Sequence, residues 1–191
     1  RQIACAGLMA VSLSMPAPAL AQPASKRALS LEDYYRIESV SSPAISPDGT
    51  KVVYVGNGAT QIFVRALDAL EPVAIAAGNP LGGPFVSPDG LWVGFVESNA
   101  IRKVAITGGP VTTVATSEGI PVGAVWAPDE TILFGSITST LGIRRVSAAG
   151  GTPEELTRVN AGQGDAGHRW PALLPGGRSF LYTIAAQAGG L

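Results

Sequence analysis

The side chains that could do chemistry in this sequence are few and scattered. There is one histidine, His168, and one cysteine, Cys5. A serine nucleophile needs a base and usually a sharp G-x-S-x-G elbow to present it; the sequence has no such elbow. His168 is therefore expected to be structural or groove-facing. Metal sites built from histidine and cysteine are excluded by inventory. Asp48, Asp89 and Asp129 offer carboxylates, but about 40 residues separate each from the next, and aspartate in a Pro-Asp-Gly turn normally caps its own backbone amides. Gly162-Gln163-Gly164-Asp165-Ala166-Gly167 spells G-x-G-x-x-G. A dinucleotide site needs a strand before that motif, a helix after it and an acid about 20 positions on. Here Pro171 soon interrupts any helix, and no acid follows Asp165. A flexible loop is the expected reading. The sequence thus predicts no catalytic residue, no cofactor-binding residue and no metal ligand.

One set of side chains recurs at matching positions in successive units. Arg102-Lys103 and Arg144-Arg145 could line one surface and meet an acidic partner, but solvent-facing charge on exposed strand positions is the expected reading. Trp92, Trp126 and Trp170 are expected to pack between sheets.

What positions these residues is a repeat. Ser46-Pro47-Asp48-Gly49 returns as Ser87-Pro88-Asp89-Gly90, then as Ala127-Pro128-Asp129-Glu130 and Leu174-Pro175-Gly176-Gly177. The prolines are 41, 40 and 47 residues apart. Proline presets φ for a tight turn, and Asp or Gly tolerates the next position. Each turn leads into a β-rich run: Lys51–Val55, Leu91–Val96, Thr131–Phe134 and Ser179–Ile184. In three units a second run follows (Gln61–Val64, Ile101–Val104, Ile143–Val146), then a small-residue turn and a third run (Val73–Ile75, Val111–Val114, Glu154–Thr157). A further run precedes each proline: Ala44–Ser46, Pro84–Val86, Ala124–Trp126 and Trp170–Leu173. Four short antiparallel strands per forty residues make a propeller blade. Helical periodicity is confined to residues 28–39, where Ser30-Leu31-Glu32-Asp33 could begin a short helix.

Composition agrees. Of 191 residues 46% are hydrophobic and only 14% charged, against about 25% charged in an average domain. Gly (24) and Pro (15) favour turn-rich β structure. The net charge of −1 lacks the basic excess of a nucleic-acid binder. Arg1, the apolar run Ile3–Met15 and the ending Ala19-Leu20-Ala21 form the three parts of a secretory signal cut after Ala21. That run is shorter than the roughly 20 residues needed to span a bilayer. The expectation is a periplasmic or secreted chain with no stable membrane insertion after cleavage, and without its cysteine.

The SPDG turns, the Val52-Val53-Tyr54-Val55 and Trp92-Val93-Gly94-Phe95 strands and the Gly108-Gly109 and Gly150-Gly151 turns resemble the WD40-like (PD40) repeats of the TolB family of periplasmic propellers, over about residues 40–184. The Trp-Asp pair of classical WD40 repeats does not occur, and Gly167-His168 is unrepeated. Leu31-Glu32-Asp33-Tyr34-Tyr35-Arg36-Ile37, with Val40-Ser41-Ser42-Pro43, resembles the opening of the propeller domain in prolyl-oligopeptidase-type (S9) serine peptidases. Similar blades follow the kinase domain in some bacterial protein kinases, where Gly167–Pro171 would fit.

The expected organisation is a signal peptide at 1–21, a linker at 22–39, and an incomplete all-β propeller at 40–191, with blades at about 40–79, 80–118, 119–160 and 161–191. The last unit reaches Gly189-Gly190-Leu191 after two strands, which predicts an open arc, unpaired edges and a longer gene product. The function the TolB resemblance implies is an interaction scaffold that binds a protein or peptide on a propeller face, without nucleic acid and without a cofactor. The alternatives are the substrate-gating propeller of a prolyl-oligopeptidase-type peptidase whose catalytic domain is absent from this chain, and a sensor-like extracytoplasmic module.

Overall fold

The computed structural model describes residues 41–137 and 140–186. The expected signal, the possible helix at 28–39, Cys5 and the peptidase-like Leu31–Ile37 segment lie outside the described residues.

Among the described residues, fourteen strands form three four-stranded antiparallel sheets and one two-stranded sheet, each in chain order. The first sheet is β1 (Ser41–Ile45), β2 (Lys51–Gly56), β3 (Gln61–Ala66) and β4 (Val73–Ala77). The second is β5 (Leu81–Val86), β6 (Trp92–Glu97), β7 (Ala100–Ala105) and β8 (Thr112–Thr116). The third is β9 (Pro121–Trp126), β10 (Thr131–Ser136), β11 (Arg144–Ser147) and β12 (Glu154–Glu155). β13 (Asp165–Leu173) and β14 (Phe180–Ala186) complete the set. The first strands β1, β5, β9 and β13 lie beside one another in succession, while the fourth strands have no comparable mutual contact. Sheets that converge at their first strands and spread at their fourth are propeller blades, as the sequence predicts.

The proline turns are built alike. Ser46 Oγ donates to Asp48 Oδ1 at 2.5 Å and accepts the Lys51 amide at 2.9 Å, while Asp48 Oδ1 also takes the Thr50 amide at 3.1 Å. Ser87, Asp89, Leu91 and Trp92 repeat the pattern at 2.5, 2.9 and 2.9 Å. With Ala127 in the serine's place, the third turn closes one residue earlier, Ala127 N–H bonding the Thr131 carbonyl at 2.7 Å. Glu130 there adopts a left-handed φ of 59°.

The second strands β6 and β10 bury consecutive residues, and so both faces, because each packs on two neighbouring blades. Ile132 and Phe134 on β10 join Phe85, Ile101 and Trp126 in the core between the second and third blades. Leu133, between them in sequence, joins Ile143 in the next core, against Leu173 and Phe180. Burying side chains of this size contributes about 1.5–3 kcal/mol each. Gly94 lies directly under the Phe85 ring, where a Cβ would collide with it; strand glycines mark such close approaches.

Local departures from the sequence reading have physical reasons. The strands before the prolines begin earlier than expected, at Ser41, Leu81, Pro121 and Asp165. The G-x-G-x-x-G segment is not all loop: Ala161–Gln163 is a 3-10 turn, and Asp165-Ala166-Gly167 is already β13. β12 stops at Glu155 because the Leu156 and Thr157 amides turn back to the Ile143 carbonyl, at 2.8 and 3.3 Å.

Candidate functional site: the inner wall

The converging first strands make an inner wall, and each is interrupted at the same place. The ladder to the second strand skips between Ser41 and Ala44, Gly82 and Phe85, Val122 and Ala124, and Arg169 and Ala172. A left-handed residue sits in each gap: Ser42 (φ 51°), Gly83 (52°), Gly123 (60°) and Trp170 (49°). All four lie five positions before a turn proline, and Pro43, Pro84 and Pro171 directly follow three of them. The extra residue is a β-bulge, which bends the strand. Glycine takes this conformation freely. A tryptophan there costs about 1–2 kcal/mol.

Trp170 is 54% exposed, so the expectation that it packs between sheets fails. Its side chain lies on the next first strand, where a Cβ on Gly123 would come within 2.7 Å of Trp170 Cδ1. Beside it is a recess of about 350 Å³ walled by Gly82, Gly83, Ile120, Gly123 and Trp170, with Ser98 at the edge. Among the described residues, no charged side chain lines it. Trp126, in contrast, is buried against Phe85, with ring centroids 6.3 Å apart. Trp92 is partly buried and carries Lys103 Nζ 4.9 Å over its ring.

His168 is 2% exposed and joins the third blade to β13. Thr157 Oγ1 accepts the Ile143 amide at 2.8 Å and lies 2.7 Å from His168 Nδ1. On the other side of the ring, His168 Nε2 lies 3.6 Å from Asp165 Oδ2. Tyr182 packs on the ring at 4.7 Å. Threonine, histidine and aspartate are thus brought together, but the threonine oxygen is committed to backbone and the imidazole is enclosed. The arrangement is a blade tie, the structural role expected, and not groove-facing. Its signal in sequence was only the singleness of His168.

The aspartates cap their own turns. Hydrogen bonds from the Ser46 hydroxyl, and then from Thr50, hold the Asp48 carboxyl well below the usual carboxylate range. The Ser87 hydroxyl and the Leu91 amide lower Asp89 in the same way. Asp129 accepts from the Thr131 amide at 3.2 Å.

The four basic residues do not form one free surface. Arg102 pairs with Glu97 at 2.9 Å and Arg145 with Glu154 at 3.2 Å. Lys103 Nζ donates to the Ala148 carbonyl at 2.7 Å, tying the second blade to the third. Arg144 lines a separate recess of about 340 Å³ that also holds Glu118. Their acidic partners are in strands or turns that sequence spacing alone did not pair with them.

No family model and no curated protein matches this chain. Solved structures do. TolB from Acinetobacter baumannii is similar with a TM-score of 0.65 and 22% identity, over 80% of this chain and 39% of that one. An oligogalacturonate lyase from Vibrio parahaemolyticus gives 0.62 and 14%, over 80% and 48%. A nidogen/laminin complex gives 0.58 and 13%, over 78% and 66%. The chain thus spans less than two thirds of each. These likenesses show the fold: the described residues form part of a TolB-like β-propeller.

Proposed function

We propose that this chain is an exported propeller module that binds a protein partner through the face carrying its proline turns, and performs no bond chemistry there. In each four-stranded blade the connection after the third strand bonds back to the proline turn: Leu67 N–H to the Thr50 carbonyl, Ile106 to Leu91, and Ala148 to Glu130, at 2.9, 2.9 and 2.8 Å. Both connections therefore share one face. The observation that carries the reading is the aliphatic side chains there, which blade packing does not use: Leu67 (62% exposed), Leu70 (86%) and Leu91 (61%). Exposed aliphatic side chains on one face suit a protein surface, because removing them from water drives association. The secretory pattern of residues 1–21 supports a periplasmic or extracellular setting.

The test is a photo-crosslinking amino acid at Leu70, compared with one at Ile137 on the opposite face, in cells that export the full chain. A defined protein adduct at position 70, lost when Leu67→Glu and Leu91→Glu are added to the same crosslinker-bearing chain with Tm unchanged, is the expected result. Equal adducts from both faces, or turnover of peptide substrates dependent on Ser or His side chains of this chain, would refute the reading.

A further inference from the structure

The recess at Trp170 lies on the inner wall, and nothing in the turn-face reading requires it. We propose that it is a subsite for a neutral sugar ring, with Trp170 as the stacking platform.

The argument starts from a residue out of place. Four first strands share one left-handed bulge, and three fill it with Ser42, Gly83 and Gly123, side chains that are small or missing. The fourth carries the bulkiest side chain available, in a conformation such residues rarely adopt. Burial does not offset that strain, because Trp170 remains 54% exposed. Strained, exposed aromatic residues of this kind mark places where the protein meets something else.

The surroundings specify what. Gly123 has no Cβ, and one would strike Trp170 Cα and Cδ1, so the bare glycine seats the indole. Gly83 and Gly123 are residues that the strand ladder skips, so their peptide groups lie outside the regular pairing beside the recess. Ser98 supplies a hydroxyl at the edge. An aromatic side chain, backbone polar groups and no charged side chain match a ring with a C–H face and a hydroxyl rim. A fully apolar ligand would make no use of the polar lining that Ser98 and the peptide backbone of Gly82, Gly83 and Gly123 provide. A uronate or a phosphorylated sugar would bring a charge that no lining side chain opposes. The volume of about 350 Å³ falls in the lower part of the range of about 300–1,000 Å³ for small-ligand sites.

The experiment is saturation-transfer NMR and tryptophan fluorescence on the full chain, with maltotriose, cellotriose and laminaritriose as neutral probes. Trigalacturonate serves as the charged probe and an uncharged proline-rich peptide as the competing class. Saturation transfer to the C–H protons of at least one neutral trisaccharide is expected, with binding at least tenfold weaker in Trp170→Ala and partly retained in Trp170→Phe. Ile120→Arg, at an exposed position on the wall of the recess, should weaken the same binding without altering Tm, and so tests the site even if Trp170→Ala fails to fold. The proposal is overturned if no neutral trisaccharide shows transfer, if trigalacturonate or the peptide binds more tightly than every neutral probe, or if the folded variants bind as the parent does.

Discussion

The Ser87–Trp92 turn and the Trp170 bulge both depend on a left-handed backbone, but they reach it differently. At the turn, Gly90 has a φ of 72° and local groups hold the conformation: Ser87 and Asp89 satisfy the amides within five residues. At the bulge, Ser, Gly, Gly and Trp all take φ near 50–60° at equivalent positions, whatever the side chain. Hydrogen bonds between residues a few positions apart decide the first, and they hold it even where Glu130 replaces the glycine at φ 59°. The meeting of two strands and a neighbouring blade decides the second, strongly enough to hold a tryptophan where glycine would be unstrained. Local chemistry can therefore be removed from the turn at modest cost, whereas the bulge is sensitive to whatever touches its neighbour.

The comparison can be broken most sharply at Gly123. Gly123→Val puts a branched side chain into a left-handed position and into Trp170, and should cost about 3 kcal/mol, read as a lowered midpoint in urea. A cost below about 1 kcal/mol would mean that Trp170 is not seated there. Next is Ser87→Ala, which removes the hydroxyl that accepts the Trp92 amide and donates to Asp89, at about 1 kcal/mol. The reverse change, Ala127→Ser, should bring no matching gain: the third turn is one residue shorter, and its Thr131 amide already bonds to Asp129. Equal and opposite shifts in Tm for those two variants would show that turn length does not matter.

A smaller effect is expected with pH. Asp48 and Asp89 titrate below their ordinary range when folded, so the stability they contribute is complete above about pH 4 and fades as the pH falls toward their folded values. Asp48→Asn with Asp89→Asn should flatten the acid limb of a Tm–pH curve; an unchanged limb would assign acid sensitivity elsewhere. The smallest shift should come from Trp170→Gly, where relief of the left-handed strain offsets lost contact with Gly123, leaving Tm within about 3 °C of the parent, because 1 kcal/mol moves a domain of this size by about 2–4 °C.

Much of the architecture was legible because its signals are local. Proline presets a turn, aspartate caps it, and a branched run follows, so Pro47, Pro88, Pro128 and Pro175 marked the blades. The site was less so. Pro43, Pro84 and Pro171 stand four residues before turn prolines and flag the bulges in hindsight; Trp170 stands five residues before Pro175 where Trp126 stands two before Pro128, but that difference does not say which indole is buried. The two diverge because Trp126 meets Phe85 inside a core and Trp170 rests on Gly123 at the open wall. Likewise, Arg102, Lys103, Arg144 and Arg145 looked like one basic row until Glu97, Glu154 and the Ala148 carbonyl came within reach of three of them.

By itself the sequence determined the period, the strands and the turns, because each depends on φ preferences and hydrogen bonds between residues a few positions apart. Only the tertiary structure decided which tryptophan faces open space, which cations are paired, and where His168 is enclosed. Those outcomes depend on groups brought together from different blades, and no spacing along one chain encodes the distance between two sheets.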